Sequence, residues 1–295
     1  MLESSVAVMG ALMPNAAPAP ASPIRPVPPE VSLLTSANPL PAEVASFERW
    51  RTGLAARDIH TMTAGLWEVD CVTEATKDDI DTESISEFVP VAIYTHHGCH
   101  GRVDEAEYRA EATATLDAKT AYLLAQELWT GAVTGNPSLQ STATDLSAFV
   151  GSQSLAVAVS VLLDAFSVET NGLMGTLHVP IGVLHELTVN NLVVRSGNRL
   201  ETILGHTVIP GPGYPTNTNT APVGSSEPDP GSFYIYITGP VEVGVGPISV
   251  TGTDTFGGTY ARQNLVEFYA ERQAIYRFPT APVFATVADI LTLPI

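Results

Sequence analysis

Four residues within a run of five could do chemistry: His96, His97, Cys99 and His100, with Cys71 upstream. Imidazole and thiolate are preferred zinc donors. The candidate metal ligands are therefore Cys71, His97, Cys99 and His100. Their spacing matches none of the usual structural zinc patterns, and adjacent residues on a strand point to opposite faces. The alternative is a strand end rich in hydrogen-bonded histidines, and the expectation is no metal and no cofactor.

The remaining chemistry-bearing groups are scattered. His178, His185 and His206 lie in apolar contexts with no paired nucleophile or carboxylate, which favours core or interface positions over a catalytic triad. There is no GxSxG, no Walker loop and no GxGxxG, and GPGYP at 211–215 reads as a turn. Asp78, Asp79, Asp81, Glu83 and Glu87 lack the spacing of an EF-hand calcium loop and read as a solvated segment. No catalytic residue is expected.

Composition narrows the classes further. A chain of 295 residues with 45% hydrophobic content can build one large core or two ordinary ones. Net charge is −18 with 13 basic residues, and no basic cluster exists to neutralise phosphates or grip an anionic membrane. Two cysteines make no disulfide framework, so a reducing compartment is the default. The start, MLESSVAVMGALMP, lacks a basic region before its apolar residues and makes a poor signal peptide. The longest apolar stretch, Leu155 to Phe166, is interrupted by Ser160 and Asp164 and is too short to span a bilayer.

The elements that must position these residues follow from periodicity. Nine prolines in residues 1–41 argue against helix or central strand, leaving an extended arm. Val44, Phe47, Trp50 and Leu54 step as a helical stripe, which predicts a helix over 41–58. Residues 64–86 predict a protruding acidic hairpin, and EFVPVAIYTHHGC a buried strand ending at Gly98. Asp104 and Glu107 make a capping-box start for a helix over 104–130 that Gly131 ends. Ala106, Ala110, Ala114, Ala118, Ala121, Ala125 and Leu128 predict its buried face.

Short helices and strands alternate from 132, including a helix over 154–167, and Pro210–Pro230 predicts a surface loop. From Phe233 the chain is strand-rich, with FYIYITGPVEVGVGPISV and then RQNLVEFYAERQAIYRFPTAPVFATVADI. These two stretches carry few charges and no nucleophile–base pair. The pattern suits surfaces that join other surfaces.

That order resembles the major capsid proteins of tailed bacteriophages with the Hong Kong 97 fold. The residues that carry the likeness are NLVEFYAERQAIYRFPTAPVFATV, which looks like the family's N-x-V-x-x-x-A-E run followed by R-x-P-T-A. The helix end ELWTG and LETILGHTVIPGPGY also look like actinobacteriophage capsid proteins. The resemblance implies an α+β fold with an N-terminal arm and short helix (1–60), an E-loop hairpin (61–88), a P-domain strand and spine helix (89–131), an A-domain (132–232) and return strands of both (233–295). It implies a non-enzymatic head protein, assembled in a bacterial cytoplasm and resident in the virion. It would form pentamers and hexamers of itself, around packaged DNA that it does not read. Scaffolding, portal and decoration proteins are its implied partners, with no membrane. The alternatives are an encapsulin-type nanocompartment shell and, further off, a metal-dependent enzyme.

Some members of that family form an isopeptide bond between a lysine of one subunit and an asparagine of another, assisted by a glutamate. On the matching positions Asn264 takes the asparagine role and Glu271 the glutamate role, and Lys77 is the lysine of the hairpin. A neutral amine must attack the carboxamide, so a carboxylate that accepts its proton is a sensible base. Against this, Lys77 sits among acids that favour its charged form, and members that do not crosslink share the strand pattern. The competing assignment makes Lys77 a solvated loop residue and Glu271 an interface ion-pair partner.

Overall fold

A computed structural model describes residues 30–59, 84–100, 105–215, 220–252 and 265–289. The acidic hairpin expected over 64–86 lies almost wholly outside them, as do residues 1–29 of the arm and Asp104 of the capping box.

Two sheets organise the chain. The first is built on the 13-residue strand Leu265–Arg277. One side of it pairs antiparallel with Val91–His100, and the other with Ser249–Gly252 and Glu242–Val245. Asn38–Pro39 adds a short parallel edge strand against Glu242 and Val243. The long helix Glu105–Thr130 lies across one face of this sheet. Strand alternation therefore sends Phe268, Ala270, Ala274 and Tyr276 into the core.

The second sheet has eight strands, with Ser232–Thr238 at its centre between Thr176–Pro180 and Phe284–Asp289. Both faces of that central strand are buried. Phe233, Ile235 and Ile237 pack with Leu155, Leu162 and Phe166 of the helix Leu155–Glu169. Tyr234 and Tyr236 point the other way, into the core shared with Trp129. Near-continuous apolar residues in FYIYI are what burial on two faces requires.

Several expectations need correction. The helix over 41–58 is a single turn, Phe47–Trp50. Gly53 follows with φ +115°, and Leu54–Arg57 turns into a strand paired with Ile85–Phe88. The apolar stripe is real, since Trp50 and Leu54 are buried, but Leu54 and Ala56 also fit a period of two. The arm is not free of helix: the proline-free stretch between Pro29 and Pro39 forms a turn at Leu33–Ser36 that buries Leu33. The strand after Pro90 continues past Gly98 to His100.

The long helix runs to Thr130 as expected, and Gly131 ends it with φ +63°. Its buried face follows the expected stripe in the second half, where Ala121, Ala125 and Leu128 are buried, and departs from it in the first. Ala112, Leu116, Thr120, Leu124 and Leu128 are buried at steps of four, whereas Ala106 and Ala110 are exposed. Larger side chains fill the groove over the sheet, and the alanines of the first turns face out. Pro210–Pro230 is not purely a surface loop either: Gly213, Tyr214 and Thr220–Pro222 are buried. The C-terminal strands divide between the two sheets: Leu265–Arg277 lies in the first, behind the long helix, and Phe284–Asp289 in the second.

Candidate functional site

The face of the first sheet turned away from the long helix is partly open. Glu271 stands on it, exposed, with Ser249 opposite on one neighbouring strand and Tyr94 on the other. Tyr94 is 66% exposed and Tyr269 39% exposed. The His96 ring lies 4.7 Å from that of Tyr269. Aromatic residues left this accessible on a sheet face mark a surface suited to a partner. On the opposite face Arg272 reaches Asp117 of the long helix at 2.9 Å, which ties helix to sheet.

The crosslink candidates are thus only partly placed. Glu271 is on the open face, while Lys77 and Asn264 lie outside the described residues. Among the described residues nothing covers Glu271. The metal candidates are no better gathered. Cys71 lies outside the described residues. His97, Cys99 and His100 follow one another along a strand, opposite Phe268, Val266 and Leu265. Among the described residues no three His, Cys, Asp or Glu side chains are grouped to hold a metal ion.

Of His178, His185 and His206, two are in the core. His178 is fully buried, with Nδ1 2.9 Å from Tyr214 Oη and Nε2 3.0 Å from Thr238 Oγ1. The Thr238 hydroxyl donates to Gly239 O at 2.8 Å, so it accepts from His178, which assigns the proton to Nε2. Tyr214 then donates to Nδ1. Burial pushes the imidazole down to about 3, keeping it neutral. His206 Nδ1 accepts the Gly175 N–H at 2.9 Å, and burial lowers its pKa too. These are positioning groups in a core. His185 is exposed.

Sequence reasoning missed a groove of about 900 Å³ between the start of the strand Val91–His100 and the C-terminal half of the long helix. The turn Pro212–Pro215 closes one side. Gly213 makes this possible, because a β-carbon there would lie 2.2 Å from Tyr122 O. Tyr214 anchors the turn by packing on Trp129, ring centroids 4.6 Å apart. The signal available was GPGYP itself, whose small residues permit close approach to a helix. The second edge of Val91–His100 has no strand partner among the described residues.

No family model matches the chain, and no curated relative matches it by sequence. Solved structures do match. The capsid of a native GTA particle superposes with a TM-score of 0.57 at 13% identity, covering 98% of this chain and 100% of that one. The capsid of an empty GTA particle gives 0.55 at 14% identity, again over 98% and 100%. A chain of Gordonia phage Cozz gives 0.50 at 12% identity, over 98% and 96%. The fold is thus an α+β capsid fold, of the Hong Kong 97 type. No helix among the described residues is long and apolar enough to cross a membrane.

Proposed function

We propose that this chain is a major capsid protein, which self-assembles as pentamers and hexamers into an icosahedral shell around a phage genome. The observation that carries this reading is coverage: 98% of the chain corresponds to 100% of a capsid subunit. The open face with Tyr94, Tyr269 and Glu271 supports it, since shell subunits complete one another's surfaces. The net charge of −18 suits a container that does not grip the DNA packed inside it. In this reading residues 61–88 are the E-loop, 89–131 the P-domain strand and spine helix, and 132–232 the A-domain. Scaffolding, portal and decoration proteins are its partners in the head.

Negative-stain electron microscopy of the purified protein tests this. Closed particles of uniform diameter are expected. Monomers under all conditions, including with the other head proteins, count against the reading.

Isopeptide crosslinking is the finer part of the proposal. Lys77 Nζ attacks Asn264 Cγ, the new C–N bond forms, and ammonia leaves with the proton that Glu271 took from the amine. A neighbouring copy covering Glu271 would supply the dry environment this needs. Particles boiled in detergent are expected to run as a ladder on a denaturing gel, and a single band near 31 kDa sinks the idea.

A further inference from the structure

Two helices of the second sheet's layer end in the same way. The helix Leu155–Glu169 is followed by Asn171 at φ +54°, and the helix Leu184–Val189 by Asn191 at φ +53°. Asparagine tolerates this left-handed conformation better than most side chains. Asn171 N donates to Val168 O at 3.4 Å, and Gly172 N to Ser167 O at 2.8 Å. Asn191 N donates to Thr188 O at 3.1 Å, and Leu192 N to Leu187 O at 2.9 Å. Both are Schellman turns, which satisfy carbonyls that the helix leaves unpaired.

The residue after the asparagine sets the two turns apart. At 172 the chain is left-handed a second time, with φ +83°, which calls for glycine. A β-carbon on Gly172 would meet nothing within 4 Å, so conformation and not space selects it. Leu192 has no such φ, and its side chain packs on the core of the second sheet. Asn171–Gly172 is the one Asn-Gly pair in the sequence, and both residues are exposed. A glycine leaves its own amide nitrogen unobstructed, so the carboxamide carbon before it can close a ring onto that nitrogen.

We propose that Asn171 is a deamidation site whose rate is set by opening of the helix end. The Gly172 amide nitrogen gives its proton to hydroxide and attacks Asn171 Cγ. The new N–Cγ bond forms, the bond from Cγ to Nδ2 breaks, and ammonia leaves with a proton from water. Water then opens the succinimide ring at either carbonyl, which leaves aspartate or isoaspartate at 171. The net change consumes water and releases ammonia. While the turn is closed, the attacking nitrogen is held as a donor to Ser167 O, and removing its proton sacrifices that bond. The closed turn protects Asn171, and local fraying exposes it.

The product fits the turn poorly. Its carboxylate stands at the negative end of the helix, two residues from Glu169. Isoaspartate also adds a methylene to the main chain, and the chain that follows has little slack. A β-carbon on Gly175 would lie 2.8 Å from both Phe166 Cε1 and Thr238 O, and the Gly175 N–H donates to His206 Nδ1. The modification therefore loosens the helix end that had protected it. None of this depends on whether the chain forms a shell.

Ageing the purified full-length chain at mildly alkaline pH, natively and in urea, tests the proposal. Digestion at acid pH and mass spectrometry quantify amide-to-acid conversion at Asn171 and Asn191 in the same samples. Electron-transfer fragmentation separates isoaspartate from aspartate. In urea Asn171 is expected to convert many-fold faster than Asn191, mostly to isoaspartate. In the native chain its conversion is expected to slow several-fold. Leu192→Gly is expected to bring Asn191 up to the rate of Asn171 in urea, where a folding defect has no bearing. Equal conversion of the two asparagines in urea, no isoaspartate at 171, a native rate equal to the urea rate, or an Asn191 rate unmoved by Leu192→Gly overturns the proposal.

Discussion

Asn136 and Val89 are joined by two hydrogen bonds: Asn136 Oδ1 accepts the Val89 N–H at 2.8 Å, and Nδ2 donates to Val89 O at 2.8 Å. A side-chain amide here stands in for a neighbouring strand. The clamp fastens the approach to the strand Val91–His100 onto the turn that follows the long helix. Behind it, Thr134 Oγ1 accepts the Asn136 N–H at 3.1 Å and donates to the buried Glu127 carboxylate at 2.6 Å. Helix end, turn and strand entry thus form one connected polar chain.

Asn136→Leu therefore removes both bonds and leaves two main-chain groups of Val89 without their partner. The expected loss is about 1–3 kcal/mol, read as a lower midpoint in denaturant with an unchanged slope. Asn136→Asp keeps the acceptor and loses the donor, so it should fall between. Equal stability of Asn136→Leu and the parent would show that the clamp contributes nothing.

His178 sets a pH dependence. Its folded pKa is about 3 against an ordinary value of 6.5, so the unfolded chain binds the proton more readily. The contribution is fully present above about pH 6.5 and is lost as pH falls toward 3. The slope from this one group is about 1.4 kcal/mol per pH unit across that window. His178→Gln should lower stability at pH 7.5 and flatten the acid limb by about one proton. Denaturant titrations at several pH values check this, and parallel curves for the two proteins would refute it. His206, lowered in the same direction, supplies part of the acid sensitivity that remains.

Two glycines should respond differently to alanine. A β-carbon on Gly213 meets backbone at 2.2 Å, the carbonyl oxygen of Tyr122, and cannot be relieved without moving the turn off the helix. A β-carbon on Gly244 meets Leu40 Cδ1 at 2.4 Å, the far end of a flexible side chain. Gly213→Ala is expected to cost about 1–3 kcal/mol and Gly244→Ala less. Thermal melts give the ordering, and a reversed order would contradict the packing described.

The legible parts of this fold were those set by local pattern. The end of the long helix at Gly131 and the strand through Phe233–Ile237 follow from a helix stop signal and a run of strand-forming residues. What stayed hidden depends on partners far away in sequence. Leu54–Arg57 became a strand because Ile85–Phe88 offers it an edge, which no propensity records. Ala106 and Ala110 could not be told from Ala112 without knowing where the sheet lies. Tyr214 looked like loop until Trp129 and His178 were seen to enclose it. For the candidate site, Glu271 was legible through a motif, yet its open face follows from pairing with Ser249 and Tyr94, both distant in the chain.

Glu271 offers a separation of fold from assembly chemistry. It is exposed on its sheet face, opposite Ser249 and Tyr94. Glu271→Gln preserves its size and its place opposite Tyr94, so stability should change by less than about 0.5 kcal/mol. Under the crosslinking proposal the same substitution removes the base and abolishes the ladder in boiled particles, while the particles still form. Lys77→Arg should give the same gel, because a guanidinium stays protonated and cannot attack. A ladder that persists in Glu271→Gln would remove this residue from the reaction, and a large drop in melting temperature would instead reveal a structural role for the carboxylate on the open face.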